Sequence, residues 1–169
     1  MKIFTFYNGA NAQAAAQPGV ATGTSIKTML QLKSTVGLWI VDWGFSFNGA
    51  VANTPGHVEL IDTNTVAATS LTAAVDNDFT KVGQVSDIAE ADDLGITYGT
   101  GATGYTAGAE GTVNARCRVL DALYAPPTGP YVRERALNRE WWLPAANYLR
   151  IRAHFGTDVN MKCFISFGI

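Results

Sequence analysis

Three glycines in residues 98–108, YGTGATGYTAG, match the G-x-G-x-x-G pattern of dinucleotide-binding loops: Gly99, Gly101 and Gly104. Asp121 follows at roughly the separation at which such a unit places its acidic ribose ligand. That loop works because its glycines lie between a strand and a helix whose free N–H groups face the pyrophosphate. Here Gly104 is followed by YTAGAEGTVNARCRV, which is typical of another glycine-rich turn leading into a strand. We therefore interpret the motif as a coincidence within a loop between strands.

Histidine and cysteine chemistry has few candidates in this chain. The two histidines, His57 and His154, belong to no nucleophile motif such as G-x-S-x-G. His57 begins a strand after a Pro-Gly turn and His154 shares a polar strand face with Arg150 and Arg152, so we predict structural roles for both histidines. The only cysteines, Cys117 and Cys163, alternate with apolar residues. This pattern predicts two buried thiols and neither a disulfide nor metal ligands.

The carboxylates give a weak indication of metal binding. Asp76 and Asp78 have the spacing of the first two ligands of an EF-hand loop, but the glycine and glutamate that complete the loop are missing. The acidic run EADD at 90–93 could add oxygen ligands for Ca²⁺, but a solvated loop is the simpler interpretation. We expect no metal, no cofactor and no catalytic residues, and we predict that the protein is not an enzyme.

The composition excludes several other classes of protein. The chain has 169 residues, of which 47% are hydrophobic and 15% charged, which is typical of one globular domain. Its net charge of −2 provides no positive field to attract nucleic acid or anionic lipid. No apolar run is long enough to cross a membrane, and the amino end lacks the apolar stretch of a secretory signal. We therefore expect neither nucleic acid nor membrane as a direct partner.

Alternating apolar residues predict an all-β fold. The strongest alternation is at 39–47, where five apolar residues are predicted to share one face: Trp39, Val41, Trp43, Phe45 and Phe47. Further strands are predicted at 26–34, 57–63, 111–124, 131–137, 147–155 and 159–168, the last two as a pair across GTD. Ser86 could cap a short helix at 87–93. About eight strands in this pattern predict an antiparallel β-sandwich that is jelly-roll-like.

The segment at 8–24 is uncharged and rich in Ala, Gly and Gln, which predicts an extended arm. We divide the chain into an N-terminal strand and arm at 1–24 and one sandwich domain at 25–169. Gln13, Gln17 and Pro18 are the arm's candidate contact residues. Deletion of residues 8–24 is expected to leave the fold intact and to weaken assembly with a neighbouring subunit.

Two adjacent tryptophans in REWWLPA, residues 139–145, are further candidates for contact with a partner. Neighbouring residues of a strand point to opposite faces, so one of Trp141 and Trp142 is expected to enter the core and the other to be exposed. The alternative is that loops cover both rings. Exposed aromatic residues often anchor interfaces. Gly101 and Tyr105 of the glycine-rich loop complete the set of candidate interaction residues.

The chain resembles small structural proteins encoded beside the capsid genes of tailed bacteriophages, identified as head decoration (cement) or minor capsid proteins. The resemblance runs from about Thr22 to the end. It rests on IKTMLQLK, VDWGFSFNG followed by VELIDT, GATGYTAGAEGTV, YAPPTGPYVRERALNRE and LRIRAHFGTDVNMKCFISF. The N-terminal arm and the paired tryptophans depart from that family, so contacts made there would be this chain's own.

The resemblance implies a jelly-roll-like subunit that forms a homotrimer and binds the major capsid protein on the outer surface of the phage head, after assembly in the host cytoplasm. No catalytic residues are implied. Such a protein would bind the assembled lattice better than free capsid protein, because its site would exist only after assembly. The alternatives are a tail, neck or fibre subunit, and a carbohydrate-binding β-sandwich in which exposed Trp and Tyr rings stack on sugars.

Overall fold

A computed structural model describes residues 3–9, 19–48, 54–73, 79–82, 104–110 and 117–169. Over these ranges the chain forms strands and no helix. The strands are β1 (Ile3–Tyr7), β2 (Val20–Ala21), β3 (Lys27–Lys33), β4 (Leu38–Asn48), β5 (Gly56–Asp62), β6 (Thr69–Ala73), β7 (Phe79–Val82), β8 (Gly104–Ala109), β9 (Arg118–Ala125), β10 (Tyr131–Glu134), β11 (Trp141–Leu143), β12 (Tyr148–His154) and β13 (Asn160–Gly168). The helix predicted at 87–93 and the acidic residues Asp76, Asp78 and 90–93 lie outside the described residues.

The strands form two antiparallel sheets, which confirms the predicted all-β sandwich. The first sheet has seven strands, in the order β10-β4-β13-β1-β7, with β11 beside β4 and β2 beside β13. The second has six strands, in the order β6-β8-β3-β12-β5-β9. Apolar side chains from both sheets form one shared core, so the sandwich is a single packed unit.

Strands that follow one another in sequence often lie in different sheets. β3, β4 and β5 alternate between the two sheets, and so do β12 and β13. The prediction that the last two strands pair across GTD is therefore wrong, because the chain crosses between the sheets there. Such crossings are the connections expected of a jelly-roll-like sandwich.

An extra residue in β4 changes which of its side chains face the core. Asp42 pairs with Ser166 and Ile40 pairs with Phe167, so Val41 has no partner in β13 and forms a β-bulge. Beyond the bulge Trp43 and Phe45 face inward as predicted. Before it, Ile40 is buried instead and Trp39 is exposed. The prediction of one face from 39 to 47 is wrong at Trp39, because the bulge shifts the alternation by one position.

Both ends of the predicted arm belong to the sandwich. Asn8 is buried, and its side chain donates to the Met161 carbonyl at 3.0 Å and accepts from the Cys163 N–H at 2.7 Å. Thr22 is also buried, and its hydroxyl accepts from the Val159 N–H at 3.2 Å. Residues 10–18, with Gln13, Gln17 and Pro18, lie outside the described residues. Deletion of residues 8–24 would therefore remove buried hydrogen bonds, and we now expect it to destabilise the fold.

The outer face of the second sheet is buried at one end. Arg150 was predicted on a polar face, yet its side chain is fully buried. Its guanidinium binds Glu110 Oε2 at 2.9 Å and donates to the Val66 carbonyl. Burial lowers the pKa of Arg150, although the Glu110 carboxylate partly opposes this shift. A buried charge is tolerated only when it is paired, so Glu110 and the chain near Val66 form a second layer over this sheet.

Neither cysteine forms a disulfide, and the two differ in burial. Cys163 is fully buried in β13, and burial raises its pKa, which keeps the thiol protonated and unreactive. Cys117 is half-buried, so the prediction of a buried thiol is correct only for Cys163.

Replacing Asn8 by alanine is expected to destabilise the protein by roughly 2–4 kcal/mol, because the Met161 carbonyl and the Cys163 N–H would be left buried without partners. Urea unfolding measures the change. Asn160→Ala is the matched control. Asn160 is an exposed residue of β13, the strand that contains Met161 and Cys163, so its replacement should change stability little. Equal stability of the two variants would contradict the role assigned to Asn8.

Candidate functional site

The most distinctive surface feature is a pair of exposed indole rings, Trp39 and Trp142. β11 pairs with β4 so that Trp142 lies directly opposite Trp39. Their ring centroids are 4.7 Å apart and the rings are tilted by 55°. Trp39 is 42% exposed and Trp142 is 45% exposed, which is unusual for two large apolar side chains in contact. We call these two residues the tryptophan pair.

Trp141 lies on the opposite face of β11. It pairs with the buried Ile40 and packs against the core. The Arg135 guanidinium lies over its ring, 3.4 Å from the centroid, in a cation–π contact. Burial lowers the pKa of Arg135. The two adjacent tryptophans therefore have different surroundings, and Trp142 is the one presented to solvent.

A glycine allows the close packing of Trp142. A Cβ atom added at Gly37 would lie 2.0 Å from Cη2 and 2.1 Å from Cζ2 of Trp142. The indole ring therefore lies directly on the backbone of Gly37, the residue immediately before β4, as well as against Trp39. These two contacts fix the ring although almost half of it is exposed.

Beside the tryptophan pair is an open pocket of about 350 Å³. Its apolar wall is formed by Trp141, Trp142, Leu120 and Pro144. Its polar side is formed by residues of three loops and strand ends, among them Asp62 and Arg118. Small-molecule sites commonly combine an apolar wall with a few polar groups in this way.

Asp62 organises the polar side of the pocket. Its buried carboxylate accepts from Arg118 Nη2 at 2.7 Å, from Asn147 Nδ2 at 3.0 Å and from the Asn64 N–H at 2.8 Å. Asn64 and Ala146 have positive φ angles of 54° and 66°, which hold the two loops in a sharp conformation. Arg118 thus offsets the negative charge of Asp62, and Asn64 and Asn147 contribute amide groups to the lining of the pocket.

A second feature near the tryptophan pair is a partly buried carboxylate. Asp42 lies just beyond the bulge and pairs with Glu134 of β10. Its Oδ1 atom is buried without a hydrogen-bond partner. Burial raises the pKa of Asp42, hydrogen bonding from Ser166 opposes the shift, and repulsion from Glu134 adds to it. Ionised Asp42 is therefore unfavourable in the folded protein.

Among the remaining candidates from the sequence, those that the structure describes do not lie at this site. Gly99 and Gly101 lie outside the described residues, and Tyr105 is in β8. Gly104 begins β8, so a strand follows the glycine motif, as predicted, where a nucleotide site would need a helix. Asp121 is not free for a ribose, because it accepts hydrogen bonds from Trp43 at 3.2 Å and Tyr131 at 2.9 Å.

Two specific features are absent from the part of the chain that the structure covers. Within it, no three or more His, Cys, Asp or Glu side chains are grouped so that they could hold a metal ion. The same residues include no helix of the length and apolarity that a membrane crossing requires.

Comparison with known proteins gives no match. No family model matches the chain, and no curated protein or solved structure is significantly similar to it. The resemblance to phage decoration proteins therefore remains a prediction.

Gly37→Ala is expected to displace the Trp142 ring, because the new methyl group would overlap it. Two indoles in contact couple and give a pair of opposite bands in the far-ultraviolet circular dichroism spectrum. These bands should weaken in Gly37→Ala and disappear in Trp142→Phe. Loss of the contact between the two rings should lower the free energy of unfolding of Trp142→Phe by about 0.5–1.5 kcal/mol. Gly129→Ala is the control, since a Cβ there meets no atom within 4 Å. Bands unchanged in Gly37→Ala would contradict this geometry.

Asp42→Asn is expected to raise stability at neutral pH. A raised pKa means that the folded state binds the proton more tightly than the unfolded chain, whose reference pKa is 3.8. The free energy of unfolding of the unsubstituted protein therefore falls as pH rises from the pKa of Asp42 in the unfolded chain to its higher pKa in the folded protein. This loss of stability persists at higher pH. The gain from Asp42→Asn should shrink as pH is lowered towards 3.8. Denaturant unfolding at several pH values measures the gain. Glu134→Gln is the control, because it removes only the repulsion from an exposed carboxylate and should give a smaller gain. A gain independent of pH would contradict it.

Proposed function

We propose that this chain is a structural virion protein that binds the assembled capsid lattice of a tailed bacteriophage and stabilises the head. The observation that carries the proposal is the tryptophan pair. Aromatic residues are enriched among the residues that contribute most to binding at protein interfaces. Trp39 and Trp142 expose a large apolar area to solvent, and their burial against a partner would release it from water.

The surroundings of the tryptophan pair support a protein partner. Both rings are on paired strands, so little conformational freedom would be lost when they are buried. Two further exposed apolar residues, Val132 and Leu137, are on β10 and on the segment between β10 and β11, along the same sheet edge. An edge with several exposed apolar side chains is typical of an interaction surface.

The mechanism would be preferential binding to the assembled state. A site composed of several capsid subunits exists only in the shell, so the protein would stabilise the shell by mass action. In a homotrimer, three weak contacts would act together and strengthen attachment without any strong single contact. Neither step requires catalytic residues.

A second candidate function is carbohydrate binding in the pocket beside the tryptophan pair. The specific observation in its favour is that Trp141 and Trp142 line this pocket together with Asn64 and Asn147. A sugar ring could stack on the indole while its hydroxyl groups bind the amides. Because Arg118 neutralises Asp62, the pocket suits a neutral sugar.

The test is a titration of the purified protein with empty expanded heads and, separately, with unassembled capsid protein. We expect saturable binding to heads only, and at least about tenfold weaker binding for Trp142→Ala and Trp39→Ala, equivalent to about 1.4 kcal/mol. Tyr124→Ala is the matched control, since Tyr124 is an exposed aromatic residue on the other sheet. Absence of head binding, or equal binding by all variants, would overturn the proposal.

The same preparation distinguishes the alternatives. Titration with neutral hexoses and their short oligomers should give no saturable binding if the lattice is the partner. Binding of a sugar by the isolated protein, lost in Asn147→Ala, would favour the carbohydrate function. Binding to tails or necks instead of heads would indicate a subunit of those structures.

A further inference from the structure

The only two histidines of the chain lie directly opposite each other. His57 in β5 pairs with His154 in β12, although they are far apart in sequence. Residues paired in this way in an antiparallel sheet point to the same face, and their Cβ atoms are about 4.5–5.5 Å apart. The backbone therefore brings the two imidazoles together on the outer face of the six-stranded sheet.

The two rings differ in their freedom to move. His57 is half-buried, and its ring packs against that of Tyr124, with 5.3 Å between centroids. His154 is exposed at the end of β12. One imidazole is thus held in place by a neighbour, while the other is able to rotate towards it.

The nearest charged residues on the two paired strands offset each other. On the same face, the next pair of residues along the two strands is Glu59 and Arg152. They form an ion pair in which Arg152 Nε is 2.7 Å from Glu59 Oε1. The positive charge of Arg152 is therefore balanced where it lies nearest to the histidines.

We propose that His57 and His154 together bind one divalent transition-metal ion of the class that prefers imidazole ligands, such as Zn²⁺ or Ni²⁺. Imidazole nitrogens bind such ions at about 2.0–2.1 Å, which two rings on neighbouring strands can reach at once. The described residues supply no group of three ligands, so water completes the coordination. The site is independent of the tryptophan pair and of the proposed attachment to a lattice.

Binding would join two strands of the sheet. An ion held by His57 and His154 bridges β5 and β12, which are adjacent in the second sheet. The unfolded chain does not hold these residues together, so the ion would bind the folded state preferentially and raise its melting temperature.

The experiment is a calorimetric titration of the full, untagged and metal-free chain with ZnCl₂, accompanied by thermal unfolding with and without the ion. Both are done on the Cys117→Ser chain, called the parent chain, because the half-buried thiol of Cys117 could take up Zn²⁺ itself. We expect saturation at one ion per chain and a higher melting temperature. His57→Asn and His154→Asn should each weaken binding at least about tenfold, since even indirect partners of a ligand contribute about 10–100-fold.

Two controls separate this site from general metal uptake. Tyr124→Phe keeps the ring beside His57 and should bind Zn²⁺ like the parent chain, and Mg²⁺, which prefers oxygen ligands, should not bind. Circular dichroism of each variant checks that the fold is retained. Failure of the parent chain to saturate, or unchanged binding when both histidines are replaced, would overturn the proposal. Neither result bears on head binding, which is measured separately.

Discussion

The β-bulge at Val41 determines which aromatic side chains of β4 form the core and which reach solvent. On one side of it Trp43 is buried between the sheets, and on the other side Trp39 is turned outward. The Val41 carbonyl accepts the N–H of Arg135 at 2.9 Å, close to where the chain leaves β10. The bulge therefore also positions the segment that leads to β11, and with it Trp142. The exposed surface depends on this irregularity.

Buried and half-buried polar side chains connect parts of the sandwich that backbone pairing within the sheets does not connect. Asn8 fixes the end of β1 to β13, and Asp62 fixes the loops around the pocket. Asp121 joins the edges of the two sheets, because it lies in β9 and accepts a hydrogen bond from Tyr131 in β10. Each of these groups is satisfied by several donors or acceptors, which is the condition for burying it. Rigid edges and loops of this kind allow Trp142 to remain both fixed and exposed.

Hydrophobic alternation was sufficient to predict the fold class and the longest strands. It could not predict the bulge at Val41, because an extra residue leaves no mark in the pattern. It also misjudged Arg150 and Asn8, whose burial depends on partners distant in sequence, Glu110 and β13. At the candidate site, Trp142 was identified because it lies beside another tryptophan. Its partner Trp39 was missed, since only the pairing of β11 with β4 brings the two rings together.

β13 lies in the middle of the first sheet. It is flanked by β4 and β1, so β10 and β4 on one side are joined to β1 and β7 on the other only through β13. During synthesis on the ribosome, this sheet cannot close before β13 has left the exit tunnel. A chain that stops before β13 would expose apolar side chains of β1 and β4 and would be prone to aggregation and proteolysis.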